Sequence, residues 1–314
     1  MSLCNEIIKN LYGYSRAKYS TWFYYKPDGI LFDAGEGVSI AMQNKIYAIE
    51  MIFLSHGHAD HIAGLPGFLS SRASSMGDRN KPLVVYYPRG DRNVVKLRRY
   101  IEDSLGTLPF SMSWEEMSEG DRVPLAGKRS LEAFAAKHSS NALALGYKIV
   151  EHRTRLNAQY RDMPACDLMQ IVKQQGREGI SEKYTHNLLC FSGDSMPLDI
   201  PVIENAEVLL HDATFLKADE REEATHATLD EVFDVANQAK VSLLGLFHFS
   251  TRYRHGEIIR AIRSNIERVH ANFPVFYLLP HTVPFTFKKI SDDNSAKPDI
   301  TIKSESESEE EQTV

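Results

Sequence analysis

Short apolar and aromatic runs recur along the chain, separated by turn residues and by amphipathic stretches. Residues 21–25 and 30–33 are two such runs, joined by Lys26-Pro27-Asp28-Gly29. Proline fixes φ there and glycine accepts a positive one, so the pair predicts a β-hairpin. Residues 51–54 predict a buried strand that ends directly in Ser55-His56-Gly57-His58-Ala59-Asp60-His61, and residues 62–72 follow with helical spacing. The histidines therefore belong to a strand-to-helix loop. Further strands are predicted at 83–87, 131–135, 144–150, 188–191, 207–210, 243–247 and 275–278, and helices at 92–104, 228–239 and 256–271. Early hairpin-linked strands and later strand–helix units imply a mixed-sheet α/β sandwich covered by helices.

The pattern changes at 151–183, which is polar, rich in Arg and Gln, and carries one helical segment near 167–174. It reads as an insertion protruding from a single domain that spans 1–302. Residues 303–314 form a Ser/Glu tail too poor in apolar groups to offset its ordering entropy, so disorder is expected. That tail holds five Glu against one Lys, four of the six net negative charges of the 314-residue chain, which leaves the body nearly neutral. A nearly neutral body argues against a protein whose whole surface grips nucleic acid, because neutralised phosphates dominate such binding. Apolar content is 43% and charged content 25%, ordinary for a globular enzyme-sized fold. No apolar run nears the ~20 residues that cross a bilayer, and Glu6 stands where a signal peptide has its apolar core. A cytoplasmic protein without a membrane partner is expected, in the host cytoplasm if the chain is phage-encoded. Cys4, Cys166 and Cys190 are far apart and odd in number, so they read as reduced packing residues.

Three imidazoles and a carboxylate within His56-x-His58-x-Asp60-His61 are too dense to be packing residues. Buried without partners, such groups cost about 1–3 kcal/mol each. A metal supplies the partners, and His with Asp suits Zn²⁺, Mn²⁺ or Fe²⁺. One loop cannot close two coordination spheres, so further ligands are expected at other strand ends. His138, Asp194, His211, His226 and His248 each follow an apolar run or precede a helix.

These residues resemble the metallo-β-lactamase superfamily, and within it the ribonuclease Z-like branch. The resemblance rests on the first histidine cluster, on Phe32-Asp33-Ala34-Gly35-Glu36 before it and Gly64-Leu65-Pro66-Gly67 after it, and on Ser192-Gly193-Asp194, His211-Asp212-Ala213-Thr214-Phe215 and Phe247-His248. It implies an αββα four-layer sandwich with two divalent metal ions, Zn²⁺ first and Mn²⁺ second. By it, His56, His58 and His138 hold one ion, Asp60, His61 and His248 the other, and Asp194 bridges them. Two such ions activate water and clamp phosphoryl oxygens, so phosphodiester hydrolysis is the implied reaction. The catalytic set is then Asp60 with His226 as general acid and Asp212 as its partner. Branch members have Glu where this chain has Asp212, one methylene shorter.

For substrate, the resemblance divides. Members that process tRNA 3′ ends have a Gly-Thr-Gly loop after their first strand and a long basic arm that grips the tRNA elbow. Here residues 11–20 replace that loop and only the compact 151–183 insertion is present. The stretch Ser15-Arg16-Ala17-Lys18-Tyr19-Ser20 with this site is similar to the anti-Pycsar proteins of phages and bacteria, ribonuclease Z-like enzymes that degrade cyclic nucleotides and so evade antiphage defence. The expected activity is hydrolysis of small cyclic nucleotides to nucleoside 5′-monophosphates. The alternative is tRNA 3′ endonuclease; a catalytically inactive binding member would lack a ligand, and none is lacking. Arg252 and Arg254 are expected to reach a substrate phosphate. Branch relatives imply a homodimer.

Overall fold

The computed structural model describes residues 2–74, 81–139, 142–221, 224–280 and 288–289. The Ser/Glu tail lies outside them. Two sheets stack face to face. In the first, β1 (Leu11–Arg16), β2 (Ser20–Tyr25), β3 (Ile30–Phe32), β4 (Met51–Phe53), β5 (Leu83–Pro88) and β6 (Met112–Met117) lie in sequence order. The first three are antiparallel and the rest parallel. In the second, β7 (Arg122–Leu125), β8 (Arg129–Ser139), β9 (Ala142–Leu156) and β10 (Ser181–Phe191) are antiparallel. β11 (Val208–Asp212), β12 (Leu244–Phe247) and β13 (Val275–Tyr277) continue in parallel, with Lys288–Lys289 at the edge.

Aromatic side chains fill the space between the sheets. Phe32 lies 5.1 Å from Phe191, and Phe23 lies 4.9 Å from Phe247, as tilted or edge-on rings. The outer face of the first sheet is covered by α1 (Val38–Met42), α3 (Leu65–Ser74) and α4 (Arg92–Leu105), while the four-residue α2 (Ala59–Ile62) carries part of the histidine cluster. The outer face of the second is covered by α6 (Ile200–Ile203), α7 (Leu229–Gln238) and α8 (His255–Arg268). With both faces covered, β2 is buried at every position, which explains its unbroken aromatic run. Four layers result, the αββα arrangement expected.

Several features differ from the sequence reading, which predicted neither β6 nor β7 nor the helix Leu3–Lys9. Residues 11–16 form the edge strand β1, whose Gly13 hides the strand signal; a Cβ there would come within 2.2 Å of the Phe23 ring opposite. The helix predicted at 62–72 is α3, which starts only at Leu65 because the chain turns at Gly64 after the short α2; a Cβ at Gly64 would strike the Gly35 carbonyl at 2.0 Å. Cys166 is exposed, whereas Cys4 and Cys190 are buried packing residues.

The 151–183 segment is built from the outer halves of β9 and β10, paired from Glu151↔His186 to Leu156↔Ser181. A helix, α5 (Ala165–Gly179), crowns them with no buried residue and kinks at Gly176. This arm leaves the end of the sheet opposite to that from which Asp194 follows β10.

Candidate metal centre

The carboxyl ends of β4, β8, β10, β11 and β12 meet at one edge of the sandwich. Each delivers a predicted residue. His56, His58, Asp60 and His61 follow β4, His138 ends β8, Asp194 follows β10, Asp212 ends β11 and His248 follows β12. Ligand atoms of His56, His58 and His138 lie within 4.8 Å of one another, and so do those of Asp60, His61, Asp194 and His248. Asp194, of the second group, is the member that also approaches the first. Its Oδ2 is 3.2 Å from His61 Nε2, 3.4 Å from His248 Nε2 and 3.9 Å from His56 Nε2.

The outer hydrogen bonds fix which nitrogen each ring turns inward. Asp33 accepts from His61 Nδ1 at 2.7 Å, and from the Ser55 hydroxyl at 2.9 Å. Having given its proton to Asp33, that hydroxyl accepts from His56 Nδ1 at 3.0 Å. His138 Nδ1 donates to the Thr225 carbonyl at 2.8 Å. The Thr214 hydroxyl donates to Asp212 at 2.6 Å and accepts from His248 Nδ1 at 2.8 Å. In all four rings the outer Nδ1 is engaged, which turns Nε2 toward the centre. Carboxylate, hydroxyl or carbonyl partners behind ligand histidines set tautomer and orientation in this way.

The inner atoms are short of partners. His56 Nε2, His61 Nε2 and Asp194 Oδ1 are buried and make no hydrogen bond, and the His61–Asp194 approach lacks hydrogen-bond geometry. Converging buried lone pairs with two carboxylates are a donor set for divalent cations, and the residues present fit such ions.

The electrostatics agree for His56 and the carboxylates. At His61 burial opposes the charge, yet Asp194 and Asp33 outweigh it and raise the pKa well above the ordinary value, so a metal there must displace its proton. Burial pushes the His56 pKa well below the ordinary value, with the neighbouring imidazoles adding to it. Burial opposes the charge on Asp194, yet His248 and His61 outweigh it and hold its pKa well down. Asp60 is also buried, but its hydrogen bond to His248 and the His61 charge bring it down to about 2. Neutral imidazoles and ionised carboxylates are the forms that bind metal.

His226 stands beside this set. Its Nδ1 donates to Asp212 Oδ2 at 2.7 Å and is 4.0 Å from Asp194. The shorter Asp212 therefore reaches. Asp212 is fully buried and saturated, accepting also from Ser195 N–H, Thr214 N–H and the Thr214 hydroxyl. Burial opposes protonation of His226, but the Asp212 charge outweighs it and lifts the pKa to about 9. His226 shares a third 4.8 Å grouping with Asp194, Asp212 and His248.

His211 is not brought to the centre. It is fully buried, donating to the Asp212 carbonyl and accepting from Leu198 N–H. A cleft of about 210 Å³ opens beside His226 and His248, lined by Lys18, Phe215, Thr225 and Arg252. Arg252 lies over the Phe215 ring at 5.3 Å. Arg254 instead begins α8, its N–H held by Glu257.

Sequence reasoning gave no role to Asp33, Thr214, Thr225, Ser15 or Lys18. Asp33 (φ 56) and His248 (φ 63) both hold left-handed backbone, a strained state concentrated at functional sites. His248 N–H donates to the Ser15 hydroxyl, and Lys18 N–H to Asp60, each at 3.0 Å. Asp33, Thr214, Ser15 and Lys18 each lie in a stretch that carried the resemblance, and that placement was their only signal.

Residues 29–157 match the β-lactamase superfamily domain. The chain is 30% identical over 249 residues to a ribonuclease Z of Natronomonas pharaonis, covering 72% of this chain and 79% of that one. It is 32% identical over 254 residues to a ribonuclease Z of Halobacterium salinarum, with the same coverage. Among solved structures, the short form of human tRNase Z superposes with a TM-score of 0.56 at 23% identity, covering 77% of this chain and 93% of that one. The metallo-β-lactamase fold protein YhfI of Bacillus subtilis gives 0.60 at 16% identity, covering 86% and 95%. The two relatives named ribonuclease Z favour the alternative of the sequence reading, the RNA endonuclease, over the cyclic-nucleotide hydrolase.

Proposed function

From a chain that belongs to the metallo-β-lactamase superfamily, in its ribonuclease Z branch, and is thereby a metal-dependent hydrolase, we propose a phosphodiesterase that removes 3′ extensions from precursor tRNA. The similarity to proteins named ribonuclease Z over 72% of the chain carries this reading.

His56, His58 and His138 would hold one divalent ion, Asp60, His61 and His248 a second, and Asp194 both, with Zn²⁺ preferred to Mn²⁺. When bound, such ions supply an activated water and positive charge against the phosphoryl oxygens. The chain itself does the rest. His226, protonated at neutral pH by virtue of Asp212, gives its Nε2 proton to the departing 3′-oxygen. Asp212 keeps Nδ1–H engaged and so aims the ring. Arg252, at the mouth of the cleft, can meet a non-bridging phosphate oxygen, whereas Arg254 is engaged at the start of α8. Breaking the P–O3′ bond leaves a 3′-hydroxyl on the tRNA and a 5′-phosphate on the trailer. A homodimer belongs to the same reading and is checked by the mass in solution.

Cyclic nucleotides are the second reading. One observation favours it: the β1–β2 turn, which stands in place of the Gly-Thr-Gly loop, is tied by Lys18 N–H to Asp60. Both are tested by incubating the protein and Zn²⁺ or Mn²⁺ with a 3′-extended precursor tRNA and with 3′,5′-cyclic nucleotides. Cleavage of the RNA with the stated ends is expected. Ring opening to 5′-monophosphates with the RNA intact would replace the first reading by the second.

A further inference from the structure

The turn between β1 and β2 reaches the cleft with Ala17 and Lys18, and the next residue is Tyr19. Tyr19 is 54% exposed although it is the only tyrosine of that turn, while Tyr24 and Tyr25 of the following strand are buried core. The Arg16 guanidinium lies 4.1 Å from the Tyr19 ring centroid. One face of the ring is thus backed by a cation and the residue remains open to solvent.

The turn is also rigidly placed relative to the chemistry. Ser15 accepts the His248 backbone N–H and pairs with Thr21 at 3.1 Å, while Lys18 N–H is held by Asp60. Two residues that precede Tyr19 in the hairpin, Ser15 and Lys18, therefore touch two residues of the candidate metal centre. Across the cleft, Phe215 with Arg252 above it repeats the same pairing of an aromatic ring with a guanidinium.

We propose that Tyr19, backed by Arg16, is a stacking platform for an unpaired nucleobase adjoining the scissile phosphate. This makes it a positioning residue for nucleotide substrates and rests on the phosphodiesterase reading above. Exposed aromatic rings bind unpaired bases through their π-faces with little preference among the bases, and a nearby arginine adds attraction for the phosphate backbone. A paired base is already stacked on its neighbours and gains nothing from the platform, so the platform selects single-stranded RNA at the cut.

The test compares kcat/KM on a precursor tRNA with that on the same RNA carrying an abasic nucleotide on one or the other side of the cleaved bond. Loss of the stacked base is expected to cost the parent protein about tenfold or more at one of the two positions. In Tyr19→Leu that penalty should shrink to less than about twofold, and in Tyr19→Phe it should persist, since stacking needs the ring and not the hydroxyl. Metal content of both variants should match the parent. An equal abasic penalty in Tyr19→Leu and parent, no abasic penalty in the parent, or lost metal in Tyr19→Leu would each overturn the platform alone. Failure of the parent to cleave any nucleotide diester would overturn the function reading and the platform with it.

Discussion

Asp33 is the residue on which the orientation of His61 depends, and replacing it by Asn separates shape from charge. The carboxylate accepts from Ser55 N–H at 2.6 Å, the Ser55 hydroxyl at 2.9 Å and His61 Nδ1 at 2.7 Å, all buried. Alanine would strand three donors at about 1–3 kcal/mol each, a total comparable with the whole stability of a domain. Asn keeps the volume and one acceptor. If its oxygen stays on Ser55, its NH₂ faces His61 Nδ1, which must then become the acceptor. The ring proton moves to Nε2, and the lone pair aimed at the centre is lost. If the amide turns over instead, two donors meet at Ser55. Either way the variant should bind metal about 10- to 100-fold more weakly, the usual effect of removing such a partner. Competition against a chelator reads the affinity, and activity at limiting metal should fall in step. An Asp33→Asn protein with the parent's metal affinity would refute this dependence of the tautomer on Asp33.

His226→Ala should lower kcat on a nucleotide diester by about 10²–10⁴, and much less on bis-p-nitrophenyl phosphate, whose leaving group needs no proton; loss of metal or equal loss on both substrates would make His226 a ligand instead. Because Asp212 raises the His226 pKa to about 9, the acid form persists through neutral pH and the rate should fall only as pH rises through that region. Asp212→Asn should move the fall toward the ordinary histidine value of about 6.5. By the same sign, the pair stabilises the fold fully below about pH 6.5 and ceases to as pH passes about 9. Arg129 grips buried Asp28 through two contacts of 2.8 and 2.9 Å, so Arg129→Ala leaves a buried carboxylate alone and should cost about 3 kcal/mol in urea unfolding; an unchanged midpoint would contradict it. Replacing 157–180 by a short turn, which Leu156↔Ser181 pairing permits, should raise KM for precursor tRNA and leave bis-p-nitrophenyl phosphate hydrolysis untouched; equal kinetics on the RNA would remove the arm from the substrate.

The candidate metal-binding residues were legible because their chemistry is concentrated. Four ligand-type side chains within six positions after an apolar strand are far denser than packing requires, and the later residues repeat the placement at strand ends. Their supporters were not legible. Asp33, Thr214 and the Thr225 carbonyl are single polar groups whose meaning lies in what folds against them. The strand β1 escaped because Gly13, required by the Phe23 ring, interrupts its alternation. The arm's strands extend farther than 144–150 and 188–191 because both their faces are polar there, and a ribbon wetted on both sides carries no period-two signal. Substrate was the least legible feature, since it depends on a turn and an arm whose residues are individually ordinary.

Two ions sharing Asp194 in one hydrolytic centre are what every step above requires. Metal-free protein titrated with Zn²⁺ or Mn²⁺, with hydrolysis of bis-p-nitrophenyl phosphate followed at each addition, should reach full rate at two equivalents per chain, and Asp194→Ala should stay inactive throughout. A plateau at one equivalent, or hydrolysis by the metal-free protein at the full rate, would contradict it.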